Sequence, residues 1–210
     1  MVTNLTVVLL SYLVGSFPTG IVFGRVFKGI DVRKYGSGGM GAANVFRVLG
    51  PKVAVPVLAV DILKGVVATV FISRVNLGDL TIPSHWLQLI AGLAAIIGHV
   101  FPVWVGFKGG KGVGTGAGVI LGLMPLETAF AVLLFAIVVA LTKYVSLGSM
   151  LAAAFLPFAL LVEKLCLGLD IPHAYVVLTL LLTVIVIVTH RQNILRLTRG
   201  EENKLGQKAA

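Results

Sequence analysis

Three polar stretches interrupt an otherwise apolar chain, and each carries residue types suited to holding an anion. The first reads Asp31-Val32-Arg33-Lys34-Tyr35-Gly36-Ser37-Gly38-Gly39-Met40-Gly41-Ala42-Ala43-Asn44-Val45-Phe46-Arg47. Gly36, Gly38 and Gly41 satisfy Gly-x-Gly-x-x-Gly, but a dinucleotide site needs a preceding strand and a surrounding alternation of strands and helices. The flanking runs offer neither. The glycines do permit backbone N–H groups to converge on an anion, with Ser37, Asn44 and Arg47 as side-chain donors nearby. A solvated basic loop accounts for Arg33 and Lys34; it accounts poorly for the glycines and the asparagine.

The second stretch is Gly106-Phe107-Lys108-Gly109-Gly110-Lys111-Gly112. It is not a Walker A loop, because Gly106 and Gly110 are too close and no Ser or Thr follows Lys111. A glycine-rich turn feeding a helix N-terminus still presents N–H groups and the positive end of the helix dipole to a phosphate. The backbone of Gly109, Gly110 and Gly112 is the expected cradle, and Lys111 the full charge. The third stretch is His190-Arg191-Gln192-Asn193, read as the end of the last helix, where positions 190 and 193 share a face. His190 can polarise a carbonyl or move a proton near neutral pH, and Asn193 can hold a substrate oxygen. A purely interfacial histidine is the alternative, and the stretch alone does not choose.

Other polar residues have plainer readings. Asp61 and Lys64 stand at i and i+3 inside an apolar run, where charges are expensive and normally paired; a structural ion pair and a functional one both fit. His99 reads as a buried bundle residue. Ser146 either caps the helix that follows it or adds a donor to an anion site. The one cysteine, Cys166, excludes an intrachain disulfide and a cysteine-based metal cage, and no metal site is expected.

The elements that carry these residues are set by composition. The chain has 210 residues at mean hydropathy +1.03, with 58% apolar and 12% charged residues. Soluble domains carry about 25% charged residues, so the bilayer is the solvent, and one multi-spanning membrane domain over 1–210 is predicted. A net charge of +9 points in a membrane chain to topology and to anionic lipid or phosphate partners, not to nucleic acid.

Seven apolar runs follow in order: Leu5 to Phe27, Val53 to Ile72, Trp86 to Val105, Val113 to Met124, Leu126 to Leu141, Leu147 to Leu165, and Ile171 to Thr189. An all-α bundle of about seven transmembrane helices is predicted. In the third run Trp86 and Trp104 lie 18 residues apart, about 27 Å along one helix, which would set an aromatic anchor at each interface. The fourth is about 18 Å long before Pro125, so it reads as a short, tilted or re-entrant segment. The first has no basic residue before it and no small-residue cleavage site after it, predicting a retained helix.

Fourteen basic residues flank one set of loops and the C-terminal tail, ending at Lys208, and Arg74 and Lys164 flank the other set. The positive-inside rule then puts the N-terminus outside and the C-terminus in the cytoplasm. A five-span arrangement, with the fourth and fifth runs as a cytoplasmic hairpin, has the same end orientations. Gly114, Gly118 and Gly122 recur every four residues and predict a close helix contact.

Taken together, Gly36-Ser37-Gly38, Gly41-Ala42-Ala43-Asn44 with Arg47, the Gly98-His99 to Gly112 run, Val145-Ser146-Leu147 and His190-Arg191-Gln192-Asn193 resemble the bacterial acyl-phosphate-dependent glycerol-3-phosphate acyltransferases. Asp61-Ile62-Leu63-Lys64-Gly65 and the tail Gly200-Glu201-Glu202 are also similar to family features. The resemblance spans essentially the whole chain, and the lysine-glycine run is its most specific part. It implies a seven-helix inner-membrane enzyme with its site toward the cytoplasm. That enzyme moves a fatty acyl group from acyl phosphate to glycerol 3-phosphate, giving lysophosphatidate and phosphate, without metal or coenzyme A. Ser37, Asn44, Arg47, Lys111, Ser146, His190 and Asn193 match family positions implicated in binding or catalysis. Gly39, Ala43 and Gln192 stand where the family usually has Asn, Thr and Glu.

The residues agree with that expectation. Acyl phosphate is already activated, so the glycerol hydroxyl can attack its carbonyl without a protein nucleophile, and the chain has no Ser-His-Asp constellation. Nor does an Asp follow any histidine at the spacing that soluble-headed acyltransferases use as general base. The resemblance assigns Lys111 with the glycine backbone, Ser37 and Ser146 to phosphate, and Asn44 and Arg47 to glycerol 3-phosphate. His190 and Asn193 then serve the carbonyl or the attacking hydroxyl, with the proton going to protein or to a substrate phosphate. An anion transporter would also use glycines, basic residues and broken helices, but transporters place their sites near the midplane between repeats, and no repeat is visible. A non-catalytic membrane subunit is the third possibility.

Overall fold

The computed structural model describes residues 1–79 and 82–206, so Lys208, one of the basic tail residues, lies outside the described residues. Among the described residues the regular structure is helical, as expected of an all-α integral membrane protein. Ten α-helices follow in order. They are α1 (Val2–Ser16), α2 (Thr19–Lys28), α3 (Ala42–Leu49), α4 (Pro51–Val66), α5 (Ser84–Val100), α6 (Val113–Leu123), α7 (Pro125–Thr142), α8 (Val145–Cys166), α9 (His173–Thr189) and α10 (Arg191–Thr198). Five helical segments are long and apolar enough to cross a membrane, and α9 with α10 makes a sixth candidate, bent by 59°. With 11 residues, α6 is as short as its sequence predicts.

The structure departs from the expected helices where backbone chemistry forces a break. The first apolar run is divided at Phe17 and Pro18, because Pro18 has no N–H to give and holds Phe17 extended at φ −55°, ψ 118°. The expected single helix from Trp86 to Trp104 ends instead at Val100; Phe101 turns away at φ −124°, ψ 66° before Pro102, and Trp104 sits in a one-turn 3-10 helix over Val103–Val105. The expected continuous last helix stops at Thr189, so His190 lies at the junction of two helices and Asn193 in the first turn of α10. In α4 the chain runs on past Val66 through a π-helical turn, Val67–Phe71.

The described chain divides into two compact units, one from Met1 to Leu123 and one beginning at Met124. In the first, α1 packs on α5 and α4 on α6, and glycine makes both contacts possible. A Cβ on Gly98 would come within 2.2 Å of the Tyr12 carbonyl oxygen, and one on Gly118 within 1.9 Å of that of Ile62. Helices in lipid gain little from burying apolar surface against one another, so close approach and dispersion do the work. A separate core of Ile21, Val32, Met40, Val45, Val53, Ala54 and Val57 lies under the first glycine loop. In the second unit Gly148 lets α8 meet Val139 and Phe135 of α7, and Thr183 of α9 donates to the Ala153 carbonyl of α8 at 2.7 Å.

Candidate active site

The first glycine loop is organised by one side chain. Asn44, buried in the first turn of α3, uses its Nδ2 to donate to the carbonyls of Val32, Tyr35 and Gly39 at 2.9, 3.2 and 2.7 Å. Its Oδ1 accepts the Ser37 backbone N–H at 2.8 Å and the Ser37 hydroxyl at 3.1 Å. The Asn44 amide thus organises the fold of the loop. Ser37 is exposed at the rim, with Arg47 half-buried one turn along α3 from Asn44. Gly36 is required where it stands, because φ is +59° and a Cβ would lie 2.4 Å from Asn44 Oδ1. Of the departures from the family pattern, Gly39 contributes its backbone carbonyl to Asn44, a bond that no side chain at that position supplies, and Ala43 is exposed.

Arg33 joins this loop to the second. Its Nε and Nη2 reach the Asp31 carboxylate, and its Nη1 donates to the Val105 carbonyl at 3.1 Å. The Arg33 hydrogen bond holds the Asp31 carboxyl below its usual value, and Asp31 raises that of Arg33.

In the second loop the N–H groups of Gly109 and Gly110, expected to face an anion, donate instead to the carbonyls of Val100 and His99, each at 3.1 Å. They thereby satisfy two of the carbonyls that the end of α5 leaves over. Such a turn against α5 needs residues without Cβ: one on Gly109 would lie 2.1 Å from the His99 carbonyl oxygen, and one on Gly110 2.1 Å from His99 Nε2. Phe107, exposed, holds φ +59°, a strained value for an aromatic residue. Gly112, at φ +79°, leads the chain into α6. The two lysines differ as their neighbours suggest, Lys108 being exposed and Lys111 half-buried.

The second unit collects Ser146, Asn193 and Arg196 around one buried carboxylate, Glu202. Ser146 Oγ and Asn193 Nδ2 donate to Glu202 Oε1 at 2.8 and 2.6 Å, and Arg196 Nε to Oε2 at 2.8 Å. Ser146 is therefore an anchor for the tail and not the cap of α8, whose N-cap is Tyr144. Burial alone would raise the Glu202 carboxyl; the bonds from Arg196, Asn193 and Ser146 outweigh it and hold the group below its usual value. His190 is buried, with Nδ1 2.8 Å from the Val186 carbonyl oxygen. A carbonyl oxygen only accepts, so in the neutral ring Nδ1 carries the proton. Gln192 is exposed.

Asp61 and Lys64 form a buried ion pair at 2.7 Å, with Thr19 Oγ1 donating to Asp61 Oδ1 at 2.9 Å and Lys64 Nζ to the Phe17 carbonyl at 2.6 Å. Among the described residues no group of three or more His, Cys, Asp or Glu comes together with metal-holding geometry. The role of Glu202 escaped reasoning from spacing. It lies in a polar tail with no periodicity, and only its likeness to a family feature marked it.

Comparison with known proteins gives a consistent picture. The sequence matches the family described as glycerol-3-phosphate acyltransferase over residues 5–200. It is 44% identical over 205 residues to a glycerol-3-phosphate acyltransferase of Geobacter sulfurreducens, covering 97% of this chain and 98% of that one. With the enzyme of the same name from Chlorobaculum tepidum it shares 42% identity over 226 residues, at 98% and 97% coverage. The fold is similar to the crystal structure of PlsY (YgiH), an integral membrane glycerol 3-phosphate acyltransferase, in its glycerol 3-phosphate form. The TM-score is 0.84 at 34% identity, covering 97% of this chain and 96% of that one.

Proposed function

The chain belongs to the glycerol-3-phosphate acyltransferase family, and from that premise we propose which of its residues carry the reaction. It is a multi-pass membrane enzyme that acylates glycerol 3-phosphate in phospholipid synthesis. In the proposed reaction the glycerol hydroxyl oxygen attacks the carbonyl carbon of acyl phosphate. The carbon–oxygen bond to phosphate breaks, and phosphate leaves with the electron pair, yielding lysophosphatidate. No metal and no coenzyme A take part, and residues 1–210 act as one membrane domain.

In this reading Lys111, at the entry to α6, holds a substrate phosphate, with Gly112 supplying close backbone approach and Ser37 a hydroxyl. Gly109 and Gly110 serve by shaping the turn. Arg47 binds the phosphate of glycerol 3-phosphate, and Asn44 keeps the loop beside it in shape. His190 Nε2 accepts from the attacking hydroxyl, while Asn193 and Ser146, tied to Glu202, keep the polar end of α8 and α10 ordered for substrate oxygens. Such fixed donors accelerate the reaction by positioning and by stabilising developing charge. The site faces the cytoplasm of a bacterial inner membrane in a seven-span arrangement, with the N-terminus outside and the C-terminus inside.

One observation supports this reading above the rest. Two glycine loops, separated in sequence by the apolar helices α4 and α5, are linked through Arg33 and Val105, and a half-buried lysine stands at the end of the second. The test is lysophosphatidate formation by the purified protein from acyl phosphate and glycerol 3-phosphate, with excess chelator and no coenzyme A. Product under these conditions is expected. Product only from acyl-coenzyme A overturns the proposed donor, and product only with added metal overturns the metal-free reaction; flux of intact glycerol 3-phosphate into sealed vesicles without product would indicate transport.

A further inference from the structure

The buried charges of α4 take no part in the proposed chemistry, yet they meet the lysine loop through a single ring. His99 is 3% exposed, and its Nδ1 is buried without a hydrogen-bond partner. That nitrogen lies 3.6 Å from Asp61 Oδ1. Lys64 and Thr19 already donate to the same oxygen, so the carboxylate has partners without the histidine, whereas His99 Nδ1 has no hydrogen-bond partner of its own. On its other edge the ring lies against Gly110, where a Cβ would fall 2.1 Å from Nε2 and 3.0 and 3.1 Å from Cδ2 and Cε1. The His99 carbonyl also accepts the Gly110 N–H at 3.1 Å. Residue 110 is thus held from His99 in two ways, by a backbone bond and by the Nε2 edge of the ring.

A buried nitrogen short of a full hydrogen bond is costly, and native proteins keep few of them. The nearby carboxylate favours the tautomer with the proton on Nδ1, which sets the ring between a fixed charge and a residue with no side chain. Lys111 is the next residue.

We infer that Asp61 and His99 are positioning residues for the lysine loop: the carboxylate orients the His99 ring, the ring fixes Gly110, and Gly110 sets where Lys111 presents its ammonium. This rests on the reading of Lys111 as the phosphate-holding charge. Neither Asp61 nor His99 touches substrate. Their effect passes through the loop.

The test uses the full chain in detergent or lipid, with Asp61→Asn, His99→Gln, the two combined, and Lys111→Ala for reference. Rates are expressed per folded molecule, and kcat and KM are separated for each substrate. Each single change is expected to lower kcat/KM tenfold or more, with the KM rise on the substrate whose KM Lys111→Ala also raises. Because both act through one ring, the double variant is expected to be no worse than the poorer single one. If Asp61→Asn leaves Lys64 uncompensated and the protein fails to insert, Asp61→Asn with Lys64→Gln removes both charges and carries the same comparison. Unchanged kcat and KM in folded His99→Gln, or losses that multiply in the double variant, overturn the inference. Unchanged activity in Lys111→Ala instead overturns the reading of the loop itself.

Discussion

Asn44 Oδ1 accepts both the backbone N–H and the hydroxyl of Ser37, at 2.8 and 3.1 Å. The amide nitrogen of Asn44 at the same time donates to three loop carbonyls. One buried side chain thus ties together five groups of the glycine loop, and the Ser37 hydroxyl is among them.

The two residues should therefore fail differently. Asn44→Asp sets a carboxylate oxygen against carbonyl oxygens, at a cost of about 1 to 3 kcal/mol for each buried group left unsatisfied, and should lower the thermal midpoint and activity together. Ser37→Ala should keep the midpoint nearly unchanged and lose activity per folded molecule. Thermal unfolding and rate measurements on the same preparations check both, and a stable, active Asn44→Asp would contradict the framework role.

Glu202 predicts a pH dependence of known sign. Its carboxyl is held below the usual value in the folded protein, so in the interval between the two values the unfolded chain binds more protons. The stability it contributes is complete above the ordinary glutamate value and is lost as pH falls through the depressed one. The difference in thermal midpoint between the parent and Glu202→Gln should be largest near neutral pH and shrink on acidification. A difference that grows toward acid pH would contradict the ion-paired tail.

Cys166 is the one thiol in the chain, and it is exposed at the end of α8. In the proposed orientation an impermeant maleimide should label it from outside in cells with a permeabilised outer envelope. Labelling confined to inverted vesicles would reverse the topology.

Much of this was legible in the sequence, for identifiable reasons. Apolar runs of bilayer length reveal helices because the solvent demands them, and the spacing of Gly114, Gly118 and Gly122 reveals the α4–α6 contact, where Gly118 meets the Ile62 backbone. Helix ends were less legible. Trp104 carries the right residue type for an interface, but Pro102 breaks the helix that would have carried it. The glycine loops were visible as anion-binding candidates; what spacing could not show is which N–H groups remain after folding. Gly109 and Gly110 give theirs to α5, a contact set by the arrangement of the chain in space. Glu202 and His99 were hidden for the same reason, since their partners are distant in sequence or belong to the backbone.

The central claim is that Lys111 holds a substrate phosphate, and the comparison of Lys111 with Lys108 tests it most directly. Loss of a preorganised donor at developing charge costs about a hundredfold to a thousandfold in rate, whereas an exposed charge mainly attracts substrate and is screened by salt. Lys111→Ala should lose most turnover while remaining folded, and Lys111→Arg should recover little, because a flat guanidinium does not replace a compact ammonium beside glycines. Lys108→Ala should lose less, in a salt-dependent way. The measurement is kcat/KM for the three variants at matched thermal stability. A large, salt-independent loss confined to the Lys111 variants is the expected result; equal and salt-reversible losses at both lysines would contradict the account.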